Sequence, residues 1–116
     1  MSITRIEVGP RMSQAVVHGN TVYLAGQVAA NPDGASVGEQ TRQILAQIDA
    51  LLAQAGTDKS KLLSATIYLS DIATFAEMNA QWDVWVVPGA TPARATVEAN
   101  LAARVYKVEI AVIAAI

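Results

Sequence analysis

The chain contains no cysteine and a single histidine among its 116 residues. The first absence excludes disulfides, thiolate metal sites and cysteine nucleophiles together. The second excludes a histidine-rich metal centre, so a metal would need an oxygen cage, and Asp33 and Glu39 lack the spacing of a calcium loop. Charge is also scarce. Charged residues make up 16% of the chain and the formal net charge is −2, with a pI near 5.2. Its basic residues are scattered, which argues against nucleic-acid binding, since that affinity rests on phosphate neutralisation. Long apolar runs are missing as well: Val108 to Ile116 is far short of the ~20 residues that span a bilayer. Met1 to Arg5 is not followed by the apolar core of a signal peptide. A cytoplasmic protein is expected. Asn31-Pro32-Asp33 is no glycosylation sequon, and Gly34 to Gly38 lacks the lysine and second-glycine pattern of a phosphate loop.

Hydrophobic residues are abundant, at 53%. They can supply the core of one domain, 1–116, and leave apolar surface for partner subunits. Ile3 to Val8 reads as a short edge strand, and Ala15 to Val17 with Thr21 to Val28 as a hairpin around His18-Gly19-Asn20. The only histidine thus falls in a turn. Gln40 to Ala55 carries Ile44, Leu45, Ile48, Leu51, Leu52 and Ala55 on one helical face, with Gly56 at its end. Ser36 to Gly38 reads as loop. Lys61 to Ser70 alternates as a strand. Ser70 or Asp71 can start the next helical segment, Thr74 with Glu77 has capping-box spacing, and Phe75, Met78, Trp82, Trp85 and Val86 form its apolar stripe before Pro88-Gly89. Both tryptophans read as core or interface anchors, because no basic groove accompanies them. The order β-β-β-α-β-α-β-β predicts an α+β fold: a mixed sheet with both helices on one face and the other face free for subunit contact.

Two strands carry the chemistry. Pro92 fixes its own φ and extends Thr91, so Ala93 to Glu98 alternates with Arg94, Thr96 and Glu98 on one face. A guanidinium matches a carboxylate in bidentate fashion, which makes Arg94 a candidate anion anchor. Lys107 to Ala114 is apolar on both faces and holds one carboxylate, Glu109, expected to be at least partly buried. Asn100 to Arg104 is short enough to join the two strands as an antiparallel hairpin. A register with Thr96 facing Glu109 sets Arg94 against Ala111, and a one-residue slip moves Glu109 to the other face.

With these residues in view, the chain resembles the RidA family, also called YjgF or reactive-intermediate deaminases, over nearly its whole length. The similar motifs are Ser13-Gln14-Ala15-Val16, Val22-Tyr23-Leu24-Ala25-Gly26-Gln27-Val28, Asn79, Pro92-Ala93-Arg94, Val97-Glu98 and Val108-Glu109-Ile110. The resemblance implies a homotrimer of chorismate-mutase-like subunits with ligand clefts between neighbours. It implies hydrolysis of enamine and imine intermediates, such as 2-aminoacrylate, to 2-keto acids and ammonia, without metal or organic cofactor. Arg94 matches the family's substrate-carboxylate arginine and Glu109 the glutamate that positions water. Gly26 and Asn79 match cleft-lining positions.

Three positions depart from the pattern. Met12 stands where the founding deaminases have tyrosine, Thr96 where many relatives have cysteine, and Ala111 where many have a second glutamate. Met12 makes no comparable hydrogen bond, so substrate orientation is expected to differ or that contact to be dispensable. Backbone groups near Gly26 and Thr96 are expected to orient the imine. Two rival classes stand beside this reading. One is a non-catalytic trimer that binds small carboxylates. The other is a ribonuclease or translation inhibitor, which the acidic charge balance disfavours. Ser13 and Ser64 have no histidine near in sequence to activate them, so a serine-hydrolase triad is not expected.

Overall fold

A computed structural model describes all residues, 1–116. Its elements follow the order β1 (Ile3–Val8), β2 (Ser13–His18), β3 (Thr21–Leu24), α1 (Val37–Gln54), β4 (Leu62–Leu69), α2 (Phe75–Trp85), β5 (Ala93–Glu98) and β6 (Val108–Ala115), with short 3-10 turns before β4 and α2. This is the expected mixed α+β domain.

The sheet has the spatial order β1-β2-β3-β6-β4-β5. Only β4 and β5 run parallel; every other neighbouring pair is antiparallel. The expected β5–β6 hairpin does not form. Helix α2 carries the chain back along the sheet, so β5 enters beside β4 in the same direction, as strand–helix–strand units require. The loop after β5 then crosses to the far side of β4, where β6 pairs with both β4 and β3. Strand β4 suits this central place because it is apolar and paired on both edges.

Alternation sets the layers. Ala65, Ile67, Leu69, Val108, Ile110, Val112 and Ala114 are buried beneath the helices with Ile44, Ile48, Leu52, Met78 and Trp82. The opposite face carries Thr66, Tyr68, Glu109, Ala111 and Ile113, all partly exposed, and Tyr23 and Val97 lie open at 47% and 43%. With helices on one side only, the molecule is a slab of 42 × 37 × 20 Å.

Several boundaries differ from expectation: β2 runs from Ser13 to His18, so the histidine expected in the turn is paired with Ile3 and Thr21 instead. Helix α1 starts at Val37 rather than Gln40, because the Ser36 side chain caps it by accepting from the Glu39 amide at 3.1 Å. At its other end Gly56 adopts φ +82, a left-handed conformation that costs glycine little. The Thr74/Glu77 capping box is absent. The Thr74 hydroxyl donates to the Asp71 carbonyl at 2.6 Å, while the Glu77 carboxylate accepts from the Gly38 amide at 2.7 Å and so ties α2 to the first turn of α1. Asp71 itself caps the 3-10 turn that leads into α2. Strand β3 also ends early, at Leu24. Ala25 and Gly26 leave the ladder, and Gln27 rejoins it through a bridge to Ile110.

Candidate functional site

Arg94 lies on the edge strand β5, opposite Ala65 of β4, which in turn faces Val112 of β6. Ala65 and Val112 are buried under the helices, so Arg94 projects from the helix side of the sheet. There its Nη1 donates to the Asn79 side-chain oxygen at 2.7 Å. Its guanidinium carbon lies 5.3 Å from the centroid of the Trp82 ring and 5.6 Å from that of Phe75. All three partners come from α2 at spacings of four and three residues, which puts them on one helical face. The only ion pair in the chain joins Arg42 to Glu39, and Arg94 makes no other side-chain hydrogen bond. Most of its five donors therefore remain available to an anion.

Thr96 follows two residues later on the same face. Its hydroxyl is buried and without a hydrogen-bond partner in the chain.

Glu109 sits on β6 between buried Val108 and Ile110, opposite Tyr68, and so projects from the open face. Its carboxylate lies directly against Gly26, where a Cβ would collide with the carboxylate oxygen and approach its carbon to 2.9 Å. Gly26 is not among the residues with positive φ. Glycine leaves the space that the carboxylate occupies here, and is not called for by backbone conformation. The segment is held firmly. The Ala25 amide donates to the Gln14 carbonyl at 2.9 Å, and Gln27 exchanges two backbone hydrogen bonds with Ile110. The Gln27 side chain bonds Gln14, and the Gln47 amide of α1 bonds both Gln27 and the Val28 carbonyl. Gln40, fully buried, donates to the Val105 carbonyl and accepts from the Lys107 amide, fixing the entry to β6.

The structure thus pairs Arg94 with Asn79 and Gly26 with Glu109, but it does not bring Arg94 and Glu109 together. They occupy opposite faces, with β4 between their strands, contrary to the register that set Thr96 against Glu109. Met12 is 56% exposed in the β1–β2 connection, where its carbonyl accepts from the Gly9 amide. The Phe75 and Trp82 cradle was missed by sequence reasoning, although the Phe75, Asn79, Trp82 spacing was a usable signal. His18 is exposed at the end of β2, and the largest cavity, about 430 Å³, lies between Ser70, Asn100, Arg104 and Tyr106, away from both pairs. No helix is long and apolar enough to cross a membrane.

Fold and site define a class: small α+β domains with an arginine-bearing edge strand beside a glycine–glutamate notch. The family model described as endoribonuclease L-PSP matches residues 2–116, and the chain belongs to that family, known also as YjgF/RutC/RidA. It is 50% identical to the RutC family protein YoaB of Escherichia coli over the whole of both chains. Among solved structures, NMB1025 of Neisseria meningitidis, a member of the YjgF family, is similar at a TM-score of 0.96 and 47% identity, covering 99% of this chain and 95% of that one. YyfA of Yersinia pestis, from the Rid family, is similar at 0.89 and 35%, covering 99% and 100%.

Proposed function

We propose that this chain is a cytoplasmic hydrolase of 2-imino acids and their enamine tautomers, of the 2-aminoacrylate type, yielding 2-keto acids and ammonia. It acts as a homotrimer, each cleft combining Arg94 and Asn79 of one copy with Gly26 and Glu109 of the next. The observation that carries this reading is the Arg94 guanidinium, half-buried, held in place by a neutral amide and two aromatic rings, and lacking any acid partner in its own chain. A cation so placed can receive a carboxylate through its free donors. Because Glu109 lies on the other face, a second copy is the natural source of the missing half, and the unpaired edge of β5 with exposed Ala93, Ala95 and Val97 offers the contact.

The chemistry asks little of the protein. Arg94 holds the substrate carboxylate, and backbone groups near Gly26 and Thr96 orient the imine. Glu109 positions a water and takes its proton as the oxygen attacks the imine carbon. Glu109 then returns that proton to the carbinolamine nitrogen, and as the C–N bond breaks the hydroxyl proton is lost, releasing ammonia and the keto acid. A protonated imine is already a strong electrophile, so orientation and local charge suffice. Exposed Met12, in place of a hydroxyl-bearing ring, favours a second reading, a trimer that binds small carboxylates without turning them over.

The test is hydrolysis of imines generated in situ by an amino-acid oxidase, for wild type and Arg94→Ala. Acceleration by wild type that falls at least ~100-fold in the variant is expected, the scale of a lost charged binding contact. Equal activity in Arg94→Ala would overturn the assignment, and keto-acid binding without turnover in wild type would select the second reading.

A further inference from the structure

We propose that Phe75 and Trp82 are positioning residues for the Arg94 carboxylate clamp, an inference that rests on the deaminase reading for its biological use but not for its test. Arginine side chains carry considerable rotamer freedom, and an edge-strand arginine with one hydrogen bond would ordinarily keep much of it. Here the single bond to Asn79 fixes one corner of the fork, while the two rings lie against the guanidinium carbon at 5.3 and 5.6 Å. Contact with a ring face leaves the in-plane N–H donors free, so the aromatic cradle orients the fork without consuming it.

The rings are themselves fixed. Trp82 packs on Trp85 with centroids 5.3 Å apart and planes tilted by 50°. The Trp85 indole donates to both carboxylate oxygens of Asp49 on α1, at 3.1 Å each. A continuous line of contacts therefore runs from α1 through Trp85 and Trp82 to Arg94. Trp82 is 5% exposed and anchors the inner side; Phe75, at 39%, forms the outer wall. A planar, bidentate anion fits such a fork, whereas lysine at position 94 would keep the charge and lose the fork.

The experiment titrates pyruvate, a 2-keto acid, into wild type, Phe75→Leu, Trp82→Phe, Trp82→Leu and Arg94→Lys, and follows the Arg94 Nε–H resonance by NMR. In wild type that resonance is expected to be displaced by ring currents and to respond to pyruvate. Phe75→Leu should move it toward its unstructured position and weaken pyruvate about fivefold, Trp82→Leu about tenfold, and Trp82→Phe by less than Trp82→Leu. Arg94→Lys should lose at least as much as Trp82→Leu. In imine hydrolysis the Phe75 and Trp82 variants should raise KM by those factors and leave kcat within about twofold, a split that a merely structural lesion does not produce. Phe75 is exposed enough for its variant to fold even where Trp82→Leu does not. An unchanged Arg94 resonance and unchanged pyruvate affinity in folded Phe75→Leu would overturn the proposal, as would a wild type that does not bind pyruvate. A wild type that binds pyruvate, loses it through Phe75→Leu and hydrolyses no imine would remove the deaminase reading while leaving the positioning roles standing.

Discussion

Arg94 and Glu109 stand on strands separated by β4 alone, yet their side chains meet opposite surroundings. Arg94 sits at the sheet edge under α2, where side chains do the holding: an amide oxygen and two rings, all from one helical face. Glu109 sits on an inner strand of the open face, where its carboxylate accepts no hydrogen bond and rests against a glycine that paired segments on both sides keep in place. The difference teaches which residue types each half tolerates. A cradle of side chains adjusts to substitution in graded steps. At the notch the first carbon added already overlaps the carboxylate, so any side chain at position 26 displaces Glu109 from its place.

The largest expected effect tests whether the halves meet across copies. Arg94→Ala and Glu109→Gln should each be nearly inactive alone. Co-expressed in equal amounts and randomly assembled, they should form intact clefts at about one in four positions, since each cleft draws one residue from each neighbour. Recovery of about a quarter of wild-type turnover, read on purified mixed assemblies, is the expected result. No recovery from mixed assemblies would place both residues in one copy's site and break the comparison at its root.

Next in size is Gly26→Ala. Its backbone conformation suits alanine, so the only lesion is the collision with the Glu109 carboxylate. Turnover is expected to fall about 100-fold, in the range lost with a general base, while pyruvate binding at the Arg94 half changes little. Unfolding free energy should drop by less than about 1 kcal/mol, because the atoms that must move are the free end of a half-exposed side chain. In a Glu109→Ala background the same substitution should cost almost nothing, and a loss that persists there, measured by urea unfolding, would show that Gly26 serves something other than the carboxylate.

How much of this was legible beforehand follows from range. The Arg94 and Glu109 faces were each read correctly from alternation, because period two is local. Their relation was not, because it depends on which strand lies between β5 and β6, and a short loop allows either a hairpin or a crossing over β4. The aromatic cradle was written in the Phe75, Asn79, Trp82 spacing but was absorbed into a core stripe, since a helix pattern says which face is apolar and not what that face will meet. Ser36 was passed over as a cap although Glu39 follows at capping-box spacing, and Glu77 was assigned to Thr74 when the stronger partner, the Gly38 amide, lay 39 residues away. Contacts within one turn can be inferred from sequence; contacts between elements become visible only in the fold.

The smallest expected effect lies at that same helix start and marks the contrast between interior and surface polar groups on α1. Gln40 is buried and satisfied by fixed backbone groups, whereas its neighbour Glu39 is solvent-facing and bonds Arg42 through Nε at 2.8 Å and Nη2 at 2.6 Å, and Gln43 at 3.0 Å. The hydrogen bonds from Arg42, and then from Gln43, hold the Glu39 carboxyl well below its ordinary value of 4.5, at about 2. A depressed folded-state value means the linked stabilisation is fully present above 4.5 and is lost as pH falls from 4.5 through about 2. Exposure keeps that contribution small. In an NMR pH titration the Glu39 side-chain carbon should show a midpoint near 2, rising toward the ordinary value in Arg42→Ala. A midpoint already near 4.5 in wild type would mean that the surface pair adds nothing, leaving the buried Gln40 contacts and the Ser36 cap to secure the α1 start.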